Sequence, residues 1–157
     1  MAGNLRFSNP KTLAKPPGYS YVVEATGPNR LIYFAGQLGV DMDNKFVGSP
    51  GDFRAQCAQA FDNMTLALKA AGANWSDVVK INNYLVDIET NMAAFREVRD
   101  GYLNKAAPPA STTIGVPALA RPGGLFEIEA IAVLPAKAAA KPASRGAKRK
   151  AARRKRR

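Results

Sequence analysis

Arg30-Leu31-Ile32-Tyr33-Phe34-Ala35-Gly36-Gln37 reads as a β-strand that is apolar on both faces. Successive side chains of a strand point to opposite sides, so Leu31, Tyr33 and Ala35 share one side and Ile32 and Phe34 the other. A strand of this kind needs cover on both sides. What the remaining chain offers as cover decides the architecture.

Toward the N-terminus, Gly27-Pro28-Asn29 is a turn that joins this strand to another at Tyr19–Ala25. Residues 1–17 are polar and carry Pro10, Pro16 and Pro17, which predicts an extended arm. Toward the C-terminus, Asp43-Asn44 marks a tight turn and Lys45–Val47 a short strand candidate. The period then changes. Phe53, Cys57, Ala60, Phe61, Met64, Leu68 and Ala71 recur at three- and four-residue steps, one face of a helix over about 52–71. Ser49-Pro50 or Asp52 can cap its start and Gly72 can end it. Asp77–Ile88 reads as a strand. Met92, Phe95, Val98 and Tyr102 give a second, shorter helix that Asn91 can cap and Pro108-Pro109 stops. Ser111–Val116 and Leu125–Leu134 are the closing strands, either side of the turn Arg121-Pro122-Gly123-Gly124.

The order is strands, helix, strand, helix, strands. It predicts an α+β fold, one mixed β-sheet with two helices on one face. The second face has no cover from its own chain, so a second copy is the expected partner and the protein a homo-oligomer.

Composition removes several chemistries. There is no histidine and one cysteine. The commonest general base, the Ser-His-Asp and Cys-His pairings and the usual zinc and iron–sulfur ligand sets are therefore absent. No metal or cofactor is expected, and carboxylates, hydroxyls, backbone groups and bound water remain. No apolar run is long enough to span a membrane, no secretory signal opens the chain, and the single cysteine fits a reducing compartment, so a cytoplasmic location is expected.

In the last strand Phe126, Ile128, Ala130, Ala132 and Leu134 point one way, while Leu125, Glu127, Glu129, Ile131 and Val133 point the other. The first set suits packing under the helices, which puts Glu127 and Glu129 on the helix-free face. Carboxylates within an apolar strand are costly to bury unless paired. Interface ion pairs or exposure to water account for both as readily as chemistry does. Cys57, on the apolar helix stripe, reads as a small core residue, and Met64 and Met92 likewise. Ser111, Thr112 and Thr113 follow a Pro-Pro-Ala turn and read as ordinary strand hydroxyls. Gly36 and Gly39 lack the spacing of a phosphate loop.

Seven pieces in order, from Tyr19 to about Val133, resemble the RidA (YjgF) family. They are Tyr19–Val23, Ala35-Gly36-Gln37, Ala55-Gln56 with Phe61-Asp62-Asn63, Ala70–Ala73, Asp77–Lys80, Pro109-Ala110-Ser111 and Glu127–Ala132. The resemblance implies a chorismate-mutase-like fold and a homotrimer with small-molecule clefts between subunits. It also implies cofactor-free hydrolysis of reactive imines and enamines to keto compounds and ammonia. Glu127 is then the catalytic candidate, orienting or activating water, with Tyr19, Gly36 and Ser111 binding substrate. Ser111 stands where the family's carboxylate-gripping arginine is found, which likens the chain to an arginine-lacking branch. A neutral hydroxyl for a charged fork costs about tenfold or more in affinity for a carboxylate. Arg96 and Arg99, on the second helix, are alternative sources of charge. A non-catalytic binding module is the other reading of the cleft.

Residues 137–157 are a different material. They hold eleven Lys and Arg and no acidic residue. Removing those eleven from the chain's 23 leaves twelve basic residues against twelve acidic ones in residues 1–136, so the net charge of +11 belongs to the tail. Such a segment is expected to be disordered alone. Lys148, Arg149, Lys150, Arg153, Arg154, Lys155, Arg156 and Arg157 can bind nucleic acid through phosphates without reading sequence. A solubilising role and binding to other polyanions stay open, and Arg149–Arg157 also fits a nuclear localisation pattern.

Overall fold

The computed structural model describes residues 4–136. Four strands form a mixed sheet: β3 (Asn29–Leu38), β4 (Val78–Leu85), β5 (Ala110–Gly115) and β6 (Phe126–Pro135). Their spatial order is β3-β6-β4-β5. β6 runs antiparallel to both its neighbours, and β4 pairs parallel with β5. A parallel neighbour demands a crossover. Helix α2 (Ile88–Arg99) lies within it. Helix α1 (Phe53–Ala70) packs beside α2 on the same face.

The sheet face under the helices matches the sequence pattern. Phe126, Ile128, Ala130 and Ala132 of β6 are buried there, with Ile81 and Leu85 of β4. Phe126 is the hub: its ring lies 5.9, 5.7 and 5.6 Å from those of Phe53, Phe61 and Phe95. Truncating a fully buried phenylalanine of this kind costs about 3–5 kcal/mol. On the other face Leu31 and Tyr33 remain 52% and 72% exposed.

Helix α1 begins at Asp52, whose carboxylate accepts from Ala55 N at 2.9 Å. It ends at Gly72, with φ +75°, where Ala73 N donates to Leu68 O and Gly72 N to Lys69 O. Only a residue free to take a left-handed backbone closes a helix in this way at no steric cost. Buried Gln56 donates to Gly123 O and accepts from Leu125 N. That clamp fixes the turn before β6.

Several local expectations need correction, among them the strand expected at Asp77–Ile88, which forms only over Val78–Leu85 while Ile88 already belongs to α2. The strand expected at Tyr19–Ala25 forms only over Val22–Thr26 (β2), and it does not join the main sheet. It pairs instead with Asn4–Ser8 (β1), inside the segment expected as an arm, in a separate two-stranded sheet. Arg6 and Glu24 face each other across that pair and form an ion pair. Helix α2 starts three residues before Asn91, at Ile88, behind Asp87 in a left-handed conformation without a side-chain cap. The Asn91 amide donates to Val86 O instead. Lys45–Val47 forms only an isolated bridge, Val40 to Phe46.

Candidate functional site

Tyr19 precedes β2, in a loop whose position Ser20 determines. The Ser20 hydroxyl donates to Pro108 O at 2.7 Å and its amide to Pro109 O at 3.1 Å. The loop is thereby tied to the segment that opens β5, where Ser111 sits. A cavity of about 260 Å³ lies between this loop, β5 and α2. Its polar lining is Tyr19, Ser111, Thr113, Arg96 and Arg99, with the Phe95 ring as an apolar wall.

Arg99 is only 7% exposed. Its Nε and Nη2 donate to Asp100 Oδ1 at 3.0 and 2.7 Å, and its guanidinium carbon lies 5.6 Å from the Phe95 ring centroid. A buried guanidinium needs such partners to offset its lost hydration. Gly18 completes the enclosure: its φ is +95°, and a Cβ there would lie 2.5 Å from Arg99 Nη2. Asn83, fully buried on β4, donates to Ser111 Oγ at 3.2 Å, Thr112 O at 3.1 Å and Thr113 Oγ1 at 3.2 Å. It holds the two hydroxyls in place.

The opposite face of the sheet carries the second set of predicted residues. β3 bulges between Phe34 and Gln37, and Leu38 pairs with Glu127. Gly36, at the bulge, leaves room for the Glu127 side chain: a Cβ at Gly36 would overlap Glu127 Oε1 and lie 2.8 Å from its Cδ. Glu127 is half-buried, and its carboxylate accepts no hydrogen bond from the described residues. Glu129 differs. Its Oε1 accepts from Asn82 Nδ2 at 2.6 Å and from Tyr84 OH at 3.0 Å. That hydrogen bond, with burial, holds the Tyr84 hydroxyl above the usual tyrosine range. Burial lowers Lys80, on the same face, against the pull of Glu129. Glu129 therefore has structural partners that Glu127 lacks.

Within the chain, then, the predicted residues form two pairs. Tyr19 and Ser111 share a cavity on the helix side, and Gly36 and Glu127 meet on the helix-free side. Arg96 and Arg99 join the first pair. The sequence carried a signal for this: Arg96 and Arg99 follow Met92 and Phe95 by four residues, so they share the stripe that faces the sheet. Met92, expected as core, is half-buried and also lines the cavity. Cys57 is fully buried core, as its stripe predicted. The tail residues Lys148, Arg149, Lys150, Arg153, Arg154, Lys155, Arg156 and Arg157 lie outside the described residues. Among the described residues no helix is long and apolar enough to cross a membrane.

A family model described as Endoribonuclease L-PSP matches residues 12–134. A 2-iminobutanoate/2-iminopropanoate deaminase of Capra hircus is 37% identical over 123 residues, spanning 78% of this chain and 86% of that protein. A RutC family protein of Synechocystis is 30% identical over 112 residues, spanning 71% and 85%. Among solved structures, a protein of unknown function of the conserved Rid family from Yersinia pestis superimposes with a TM-score of 0.71 at 37% identity. That match covers 83% of this chain and 99% of that one. RidA from a Psychrobacter species superimposes with a TM-score of 0.60 at 33% identity, covering 82% and 98%.

Proposed function

The chain belongs to the endoribonuclease L-PSP family, that of RidA and YjgF, and from that membership we propose that it hydrolyses small imines or enamines to keto compounds and ammonia. The reaction adds water to the imine carbon and expels ammonia from the resulting carbinolamine. A group is needed that takes a proton from the water as its oxygen bonds to carbon and returns one to the departing nitrogen. Glu127 has that role. The observation that carries this reading is its placement: a half-buried carboxylate over Gly36, free of hydrogen-bond partners among the described residues, beside a Glu129 that is engaged twice.

The two pairs of site residues are brought into one cleft by a second copy, in a homotrimer whose subunits cover one another's exposed Leu31 and Tyr33. The apolar strip on the helix-free face supports this assembly. Tyr19 and Ser111 line the cleft from one subunit while Glu127 and Gly36 reach it from the next. A cytoplasmic location goes with this chemistry. Residues 137–157 bind polyanions such as nucleic acid, a reading supported by eleven cations in 21 residues.

The deciding experiment generates 2-iminobutanoate in solution and measures its conversion to 2-oxobutanoate above the buffer rate. Wild-type protein accelerates the reaction and Glu127→Gln loses about 10²-fold or more of that acceleration. No acceleration by wild-type protein leaves the cleft as a binding module. Equal acceleration by both removes Glu127 from the chemistry.

A further inference from the structure

We infer that Lys80 makes the cavity on the helix-free face a covalent site for small, uncharged aldehydes and ketones, held as reversible imines of its amine. The site uses none of the residues assigned to the hydrolase and stands apart from that reading.

The cavity, of about 540 Å³, opens between β3, β6 and β4. Tyr33, Ala35 and Ile131 give it apolar and aromatic walls, and Lys80, Asn82 and Glu129 are its polar groups. Strand register places them. Lys80 pairs with Ile131 and Asn82 with Glu129 where β4 meets β6. Lys80 and Asn82 are two residues apart on one strand, so they share a face at a spacing of about 7 Å. The amine therefore stands on the apolar side of the cavity and the carboxylate one step along it.

Lys80 is half-buried. Its Nζ donates to Thr112 Oγ1 at 2.5 Å, and it forms no ion pair among the described residues. The Glu129 carboxylate is engaged by Asn82 and Tyr84 instead. No anion in contact holds the amine as an ammonium. Burial favours its neutral form, against the longer-range pull of Glu129. A neutral amine can donate to Thr112 and keep its lone pair for an electrophile. A lysine desolvated in an apolar pocket is the setting in which Schiff bases form.

The matching electrophile is a carbonyl carbon. The Nζ lone pair bonds to that carbon and the carbonyl π pair moves to oxygen. A proton passes from nitrogen to the oxygen, giving a carbinolamine. The hydroxyl then leaves with a second nitrogen proton as water, and the nitrogen lone pair closes the C=N bond. One amine and one carbonyl give one imine and one water, with no oxidant or reductant. Glu129, in the same lining, is the carboxylate placed to carry the proton. Its charge disfavours an anionic ligand, while Tyr33 and Ile131 favour a short apolar chain. The ligand class is thus a neutral carbonyl compound rather than an oxo acid.

The test treats the full chain with butanal and cyanoborohydride, which reduces the imine to a stable amine, and maps the modified lysines by mass spectrometry. Lys80 should react at least about tenfold faster than Lys45, whose side chain is 76% exposed, since burying two methylenes of the probe is worth about tenfold. The rate at Lys80 should saturate with butanal while that at Lys45 rises linearly. With glyoxylate, an anionic aldehyde, the ratio of Lys80 to Lys45 should fall by about tenfold or more. Lys80→Met should lose the saturable uptake; if it fails to fold, the wild-type map decides alone. Reaction at Lys80 no faster than at Lys45 overturns the inference, as does a rate without saturation or an equal ratio with both probes. A subunit contact that filled the cavity would produce the first of these results. Labelling is read without turnover. Saturable reaction at Lys80 in a protein that hydrolyses no imine keeps this site and refutes the hydrolase, and turnover without such labelling does the reverse.

Discussion

Replacing Gly36 by alanine adds one methyl group at the place where the catalytic reading is most exposed to test. Gly36 does not need a left-handed backbone, so alanine fits the chain locally. The new Cβ would overlap Glu127 Oε1 and stand 2.8 Å from Cδ and 3.1 Å from Cγ. The obstruction is the far end of a flexible side chain, so the carboxylate moves and the strands do not. Leaving a staggered well costs about 0.5–1.5 kcal/mol. Alanine in a strand recovers roughly 0.5–1 kcal/mol relative to glycine. The two nearly cancel, and the melting temperature should shift by no more than about 4 °C. Rate is another matter. A reacting group displaced by about 1 Å costs on the order of 10²-fold, so Gly36→Ala should approach the residual rate of Glu127→Gln in the imine assay. Gly39→Ala is the control. There the added carbon meets the Gln56 backbone, 2.6 Å from its carbonyl carbon. A helix backbone cannot step aside, so that variant loses about 1–3 kcal/mol or more of stability. A Gly36→Ala protein with full activity, beside an inactive Glu127→Gln, refutes the claim that this carboxylate must occupy the space above Gly36.

Three further outcomes are expected. Burial pushes the Cys57 thiol up to about 12, with Arg54 pulling weakly the other way. Its ordinary value applies in the unfolded chain, so the stability it contributes is whole below about pH 8.5 and falls by about 1.4 kcal/mol per pH unit as pH rises toward the folded value. Urea melts at pH 9 and 11 should show a shallower loss in Cys57→Ala than in wild type, and parallel losses overturn the assignment. Tyr33→Asp places a charge on the face assigned to subunit contact. An uncompensated charge there costs about 3 kcal/mol or more, so sedimentation should find monomers and the imine assay no rate; an unchanged oligomer means that face is not the interface. Deleting residues 137–157 should abolish binding to duplex DNA. In the full chain the logarithm of that affinity should fall with that of salt by about 0.9 per phosphate neutralised, and equal binding by the shortened chain refutes the tail's role.

The helices and the main sheet were legible because period alone specifies them. Phe53 to Leu68 cannot be read as anything but a helical stripe, and the alternation of Phe126 to Ala132 against Glu127 and Glu129 gave both faces of β6 before any coordinates. What failed was local. Asn4–Ser8 has a polar, proline-flanked setting that conceals its pairing with Val22–Thr26, since strand partners so far apart leave no periodic mark. The α2 start was placed at the best capping residue, but the helix begins behind Asp87, without a cap bond, directly after Val86, whose amide donates to Leu125 O and whose carbonyl accepts from the Asn91 amide. Tertiary bonds overrode a local preference there. The site was half legible. The face of Glu127 was legible in the alternation of β6, whereas the face of Ser111 was not assigned. Only the parallel register of β5 with β4, which puts Ser111 beside Ile81 and Thr113 beside Asn83, shows that it lies on the helix side.

That register carries the central consequence. The Glu127 carboxylate and the cavity beside Ser111 lie on opposite faces of one sheet and cannot meet across it, because the sheet's own packed side chains intervene. On the proposed reading each face is half of a site, and neighbouring copies share the halves that one chain keeps apart. The helix-side cavity borders β5, whose only partner in the sheet among the described residues is β4, and the Glu127 face carries the exposed apolar strip. On the proposed reading one contact then buries Leu31 and Tyr33, shields β5 and closes a cavity around substrate. Activity should consequently be lost with dissociation, even when every residue of both half-sites is intact. Mixing an inactive Glu127→Gln protein with a Ser111→Phe protein, whose ring fills the helix-side cavity, tests the sharing directly. Subunit exchange should restore clefts that draw the carboxylate from one chain and the open cavity from the other. Recovery of about a quarter or less of wild-type rate is the expectation for random mixing in a trimer, as subunits reassort by mass action. No recovery after verified exchange would place both groups in the same chain's site, and the sheet that divides them would have to be crossed some other way.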